Sequence, residues 1–286
     1  MEDMYERIYN DVFLHISKSN LDLFLCGGAS TKGRQSYRDT IRLKLDKVDK
    51  INVLYPEDLF MELLNRKKYD LLELEDFLAD NSDYIVIVSE SPGSFAELGA
   101  FANNINTAAK SIVFLQTKYK SARSFINQGP VQHIKKINKS NILYFNESNL
   151  NESVNNLLKR IGIYKRNGIY INKNKSIKDI DIISGQLLFI LLLLYFYVEL
   201  EAKELAHNIK NIYLKKFEPK NFDMIYLASL RRLFSKGLIC KNRKEEKFYY
   251  QLSDKGYKYA KSMLNTADIA NRNKILNRIR LEIINA

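Results

Sequence analysis

Cysteine and histidine are scarce in this chain. The two cysteines, Cys26 and Cys240, stand far apart among the 286 residues, and the three histidines, His15, His133 and His207, fall in different segments. Such a pair builds no disulfide framework, neither residue type has metal-ligand spacing, and nothing points to a histidine-centred triad. Neither a metal nor a resident cofactor is expected, and the thiol content fits a reducing cytoplasm.

Long apolar runs are equally scarce. The one unbroken stretch, 187–198, is twelve residues long, short of the roughly 20 a helix needs to cross a bilayer. It is expected to be a buried core helix, with no membrane association. The opening Met1-Glu2-Asp3 lacks the basic region and apolar run of a signal peptide. Internal repeats are absent, and the only biased tract is Asn172-Lys173-Asn174-Lys175.

What the chain does have is 46% apolar residues and room for two domains, each with its own core. Charge is unevenly spread: residues 1–150 carry 19 Lys/Arg and 20 Asp/Glu, whereas residues 151–286 carry 26 and 13. A basic second part beside a neutral first part suggests that the second faces a polyanion.

Five short apolar runs, 21–25, 51–55, 84–88, 112–115 and 142–145, alternate with helical patterns. This is the signature of an α/β domain, a Rossmann-like (flavodoxin-like) five-stranded parallel sheet covered on both faces. Ligands of such sheets bind at the carboxyl ends of the strands. The α/β domain is assigned 1–164, a polar linker 165–181, and a mainly α winged helix-turn-helix domain with a C-terminal helix 182–286. The last rests on three helical stretches, a charged hairpin around 241–247 and a closing helical region.

The stretch Ser91-Pro92-Gly93-Ser94-Phe95-Ala96-Glu97 follows a buried strand. Ser94-x-x-Glu97 is a capping-box pattern, which would make Glu97 a purely structural residue. Its place at a strand end gives a second reading. A carboxylate in the first turn of a helix is kept ionised by the helix dipole, and beside a ribose C1′ it acts as nucleophile or stabilises an oxocarbenium-like transition state. Gly27-Gly28 ends the first strand and can cradle a phosphate or simply turn the chain. Glu57 and Asp58 follow the second strand, placed either to bind ribose hydroxyls or to cap a helix; Tyr55 beside them can stack on a base, and Arg38 can pair with a phosphate.

Four separated motifs also resemble a known family. Phe24-Leu25-Cys26-Gly27-Gly28, Tyr55-Pro56-Glu57-Asp58-Leu59-Phe60, Ser91-Pro92-Gly93-Ser94-Phe95-x-Glu97-Leu98-Gly99-Ala100-Phe101 and Arg123-Ser124-Phe125-Ile126-Asn127-x-Gly129-Pro130-Val131 are together similar to the nucleoside deoxyribosyltransferase-like effectors of type II bacterial retrons. The closing Arg280-Leu281-Glu282-Ile283-Ile284-Asn285 matches as well. The resemblance implies a toxic effector of anti-phage defence, an N-glycosidase consuming NAD or a nucleotide. It implies partners too: a retron reverse transcriptase and its msDNA, single-stranded DNA with branched RNA, and a higher-order assembly. Glu97 matches the catalytic carboxylate. Where deoxyribosyltransferases carry an aspartate and a Gly-Thr pair, this chain has Glu90 and Gly93-Ser94, so hydrolysis is expected rather than base exchange. Gly27, Gly28, Asp58, Glu90, Gly93 and Ser94 are the expected substrate-positioning residues.

In the basic part, Arg231, Arg232 and Lys236 on one helix and Lys241, Arg243, Lys244 and Lys247 on the hairpin, with Tyr249 and Tyr250, are the expected DNA-binding residues. Two other readings remain from sequence. One is a DNA-binding regulator whose α/β domain only senses a nucleotide; the other is a scaffold joining reverse transcriptase and DNA without chemistry.

Overall fold

The computed structural model describes residues 4–16, 20–55, 70–173 and 178–285. The chain divides into two compact units, one of residues 19–175 and one that joins residues 1–18 to 176–286. The first helix, α1 (Met4–Asp11), therefore groups with the C-terminal segment and not with the sheet it precedes in sequence.

The first unit is built on a parallel sheet of β1 (Leu21–Gly27), β2 (Ile51–Leu54), β3 (Tyr84–Ser89), β4 (Ser111–Gln116) and β5 (Ile142–Phe145) in the order β2-β1-β3-β4-β5. This is the expected flavodoxin-like order. Its inner strands are buried nearly end to end, which is why they read as continuous apolar runs. In the register, Leu25 lies against Val86 and Val88 against Phe114. The helices are α2 (Tyr37–Leu45), α3 (Leu71–Asp80), α4 (Pro92–Asn103), α5 (Ile105–Lys110), α6 (Phe125–Gln128), α7 (Pro130–Ile137) and α8 (Leu150–Arg160).

Side chains alternate across the pleat. Leu23, Leu25, Val86, Val88 and Phe114 pack with Ile41 and Leu45 of α2 and Leu157 of α8. Phe24 meets Phe101 of α4 edge to face, with centroids 5.8 Å apart. The chain leaves β1 for β2 on one side and returns to β3 on the other, so the switch point lies at the carboxyl ends of β1 and β3.

A hairpin of β6 (Ile163–Arg166) and β7 (Ile169–Asn172) closes this unit. Asn167 and Gly168 turn it with φ of 50° and 82°, the positive values a two-residue turn of this kind requires. Ile163 is in the sheet core and Tyr170 packs on it. The first part of the segment read as a polar linker over 165–181 is thus a folded strand pair.

In the second unit α9 (Ile183–Tyr197) is apolar on all sides and almost wholly buried, as a helix wrapped by others must be. Around it lie β8 (Glu199–Glu201), α10 (Ala202–Leu214), α11 (Phe222–Ser235), the hairpin β9 (Ile239–Lys244) and β10 (Lys247–Leu252), α12 (Asp254–Thr266) and α13 (Arg272–Ile284). The three strands pair antiparallel in the order β8-β10-β9. The hairpin strands are longer than read from sequence because the turn is only Glu245-Glu246, both at positive φ.

Helix α1 is fastened into this unit. Tyr5 stacks on Tyr197 at 4.9 Å and donates to Glu204 at 2.8 Å. The Tyr9 hydroxyl donates to Asp179 at 2.6 Å, and Arg7 bonds Glu282 of α13. On α13 the buried residues are Leu276 and Ile279, with Ile275 and Ile283 half-buried beside them. Among the described residues no helix is long and apolar enough to cross a membrane.

Candidate active site

The candidate site lies where β1 and β3 end. Gly27 closes β1 at φ 150°, and a Cβ there would stand 3.0 Å from the Arg38 Cβ. At Gly28 an added Cβ would come within 3.2 Å of Ser91 Cβ and 3.4 Å of Glu90 Cγ. The two glycines let the β1 loop pass close to the β3 loop and to α2.

Helix α4 starts three residues earlier than the capping-box pattern at Ser94 indicated. Ser91 is its N-cap, Pro92 takes the first helical position, and the capping box is formed by Ser91 and Ser94. The Ser94 hydroxyl, 1% exposed, accepts the amides of Glu90 at 3.0 Å and Ser91 at 2.9 Å and donates to the Ser91 carbonyl at 2.8 Å. Ser94 therefore shapes the loop from beneath. Glu97 is relieved of the capping role. It sits in the second turn, where the helix dipole that sequence reading invoked has largely faded.

Leu98 and Phe101 anchor α4 in the core, and half-buried Glu97 lines a cleft of about 360 Å³ with Gly27, Gly28, Arg38, Glu75 and Ser91. Catalytic and glycine positions singled out from sequence are thus brought to one wall. Gly93 is exposed at the second position of α4, where nothing within contact distance calls for a glycine. Glu57 and Asp58 lie outside the described residues.

Glu90 has a different placement from the one its motif suggested. One carboxylate oxygen accepts the Tyr37 amide at 2.8 Å and the other the Arg38 amide at 2.9 Å. These are first-turn donors of α2, so Glu90 caps that helix across the sheet. It fixes the site and leaves its carboxylate committed to backbone.

On the far side of Arg38 and Ala29 lies a second cleft, about 970 Å³. Arg38 and Arg42 each hold a guanidinium over the Tyr55 ring, 4.7 and 4.2 Å from its centroid. Tyr55 is 2% exposed, so its place is in the wall and it offers no open face for a base. Asp39 accepts the Ser30 amide at 3.1 Å and the Ser30 hydroxyl, and lies 3.4 Å from Arg38 Nε. Burial opposes its ionisation, but the Ser30 bonds, Arg38 and the Ser36 hydroxyl together hold its pKa below the ordinary carboxylate value. Arg34 and Arg42 were not singled out from sequence. Their only signal there was the four-residue spacing of Arg34, Arg38 and Arg42, which reads as a solvated helix face. Among the described residues no group of three or more His, Cys, Asp or Glu could hold a metal ion.

The basic residues of the second unit fall into distinct settings. Arg232 is buried, Arg231 half-buried, and Lys236 exposed just past α11. The outward residues of that helix are Asp223, Leu227, Phe234 and Ser235, so it presents no basic stripe. On one face of the hairpin Lys244 pairs with Glu199, and Lys247 with Glu201 at 2.9 Å. The opposite face carries Lys241, Arg243 and Phe248, all exposed, with the Lys241 ammonium 3.7 Å from the Phe248 centroid. Tyr250 continues that face inward to Phe234, at 5.7 Å.

Residues 34–244 match the family profile described as STM3845 retron effector protein. The chain belongs to the retron effector family. This retron effector is 33% identical over 274 residues, 93% of its length and 84% of the relative's, to an Escherichia coli retron Ec86 protein named for a ribosyltransferase assignment and DNA binding. A retron Ec73 protein of the same organism and the same naming is 35% identical over 117 residues, 39% of this chain and 37% of the relative.

Proposed function

We propose that this retron effector is an N-glycosidase that hydrolyses NAD or a related nucleotide, acting as the toxin of an anti-phage system, with Glu97 as its catalytic residue. The observation that carries the reading is the setting of Glu97: it lines a cleft at the switch point of the sheet, beside two close-packed glycines, while Ser91 and Ser94 perform the capping it was expected to share. The names of the two relatives, which specify a ribosyl group as the unit handled, support it.

In this reading the C1′–N bond breaks and its electron pair leaves with the base. The Glu97 carboxylate faces the positive charge developing at C1′, as nucleophile or as electrostatic partner. A water oxygen then forms the new C1′–O bond; where Glu97 had bonded to C1′ that C–O bond breaks with its electron pair returning to the carboxylate, and the water proton passes to the departed base or to solvent. Gly27 and Gly28 let the ribose approach the backbone, and Glu90 and Ser94 hold the loops in place.

The second unit is read as a winged helix-turn-helix, from its element order and its β8-β10-β9 sheet. It would hold the effector in a complex with the retron reverse transcriptase and msDNA. Its contact surface is the hairpin face bearing Lys241, Arg243 and Phe248, where cations and an aromatic ring are exposed together. Purified protein incubated with NAD should release nicotinamide, measured by mass spectrometry, and Glu97→Gln should reduce the rate at least about a hundredfold. Equal release by the variant disposes of the assignment.

A further inference from the structure

None of the cleft-lining residues named above belongs to the hairpin of β6 and β7, and the fold does not account for one of its faces. The inner face is fixed: Ile163 lies in the sheet core, Tyr170 packs on that core and Asn172 is buried. Side chains alternate along each strand, so Tyr164, Arg166, Ile169 and Ile171 are held facing outward. Tyr164 is 42% exposed, Ile169 65% and Ile171 44%. Arg166 and Lys173 are exposed with them.

Strand propensity accounts for tyrosine and isoleucine on a solvent face, but not for the charges around them. Residues 153–178 contain seven Lys or Arg and no Asp or Glu. Across solvent-facing strands opposite charges ordinarily pair, as Lys244 and Lys247 do with Glu199 and Glu201 in the second unit. In this hairpin Arg166 is instead opposite Ile169, and Lys165 opposite Tyr170. Lys165, Arg166 and Lys173 make no ion pair among the described residues. The Lys173 ammonium stands 4.6 Å from the Tyr164 ring centroid, so cation and aromatic ring are presented together.

From tip to base the outward face reads Arg166 beside Ile169, then Tyr164 beside Ile171, then Lys173, whose amide continues the ladder to the Gly162 carbonyl at 3.1 Å. Lys173 is four positions beyond Ile169, about 13 Å of strand. Cations thus bracket an aromatic and aliphatic middle. A single strand of nucleic acid matches this order, its phosphates meeting the cations while its unstacked bases lie on the ring and the aliphatic side chains. A duplex hides those base faces. An anionic membrane calls for apolar residues gathered at the tip, where Arg166 stands level with Ile169. Of the two kinds of strand, DNA fits better: the face carries no carboxylate to accept from a ribose 2′-hydroxyl, and the relatives are named for DNA binding.

We propose that the outward face of the β6–β7 hairpin is a single-stranded DNA-binding surface of the α/β unit, additional to the β9–β10 face of the second unit. It does not depend on the reading of Glu97. Full-length protein carrying Lys241→Ala and Arg243→Ala, which remove the β9–β10 contribution, serves as the parent. It is titrated at low salt with a fluorescent oligothymidine of about 12 nucleotides. Adding Arg166→Ala and Lys173→Ala should weaken binding at least about tenfold and lower the slope of log K against log salt by about 1.4. Tyr164→Ala should weaken it at least about fivefold and Tyr164→Phe less than about twofold, while duplex affinity changes by less than about twofold in both. Arg166→Lys with Lys173→Arg, which keep the charge, should bind within about twofold of the parent. That pair, with urea midpoints read on every variant, guards against a folding defect.

A parent that does not bind the oligonucleotide, alanine variants that bind as tightly as the parent, or equal losses on single strand and duplex would overturn the surface. Capture by phosphatidylserine vesicles through the same side chains without oligonucleotide binding, or tighter binding of oligouridine than of oligothymidine, would overturn it too, assigning the face to a lipid surface or to RNA.

Discussion

Glu90, one residue past the end of β3, accepts the backbone amide of Arg38 in the first turn of α2 at 2.9 Å. With its second oxygen on Tyr37, it joins the two loops that frame the candidate site. Charge-assisted bonds at a helix start contribute more than neutral ones. Glu90→Ala should destabilise the protein by about 2–3 kcal/mol and Glu90→Gln by about half as much, since an amide oxygen retains one acceptor. Urea denaturation reads both, and an alanine variant within about 0.5 kcal/mol of wild type would show that α2 is held by packing alone.

The Asp39 network predicts an acid-side sensitivity. Its folded pKa lies below its unfolded value of 3.8, so the associated stability is fully present above that value and is lost as pH falls through the folded pKa. Between pH 6 and pH 3, wild-type protein should lose more stability than Asp39→Asn, with the difference confined to the region below about pH 4. Parallel curves for the two proteins would contradict it.

The two faces of the β9–β10 hairpin should differ in nucleic-acid binding. Lys241→Ala and Arg243→Ala should each weaken binding of a single-stranded DNA oligonucleotide and lower the slope of log K against log salt by about 1. Lys244→Ala and Lys247→Ala should have much smaller effects, because Glu199 and Glu201 already neutralise those ammonium groups. Fluorescence anisotropy over a salt series measures this, and four equal effects would remove the distinction.

Tyr9 offers a probe of how firmly α1 is attached. Its ring is 1% exposed and its hydroxyl donates to both Asp179 oxygens, at 2.6 and 2.8 Å. Burial, then the Asp179 carboxylate, pushes its pKa well above the usual tyrosine value, so it remains a donor at any pH of interest. Tyr9→Phe should cost about 1.5–3 kcal/mol, the loss of a hydrogen bond to a charged group. An unchanged denaturation midpoint would mean that α1 contributes little.

The parallel sheet was legible because its inner strands are apolar from end to end, and the buried helix α9 because no charge interrupts it. The position of Glu97 near a strand end was legible from the apolar run before it. What escaped was decided by partners distant in sequence. Nothing near Glu90 announces that its acceptors' donors are 52 and 53 residues away, and the amphipathic pattern of α1 is the same whether it covers the sheet or, as it does, the other unit. The hairpin at 163–172 was missed for a local reason: Asn167-Gly168 is a strong turn signal, outweighed by the lysines and asparagines after it. Arg42 became informative only once Tyr55 stood behind it.

Because α1 precedes the sheet in sequence yet packs with residues that follow it, the outer unit can close only after the inserted one has been synthesised. During synthesis every residue of the crevice described above has been made while the second unit is still incomplete. Cutting the chain near residue 18 to isolate the sheet would spare the inserted unit and strip the other of a helix it cannot replace.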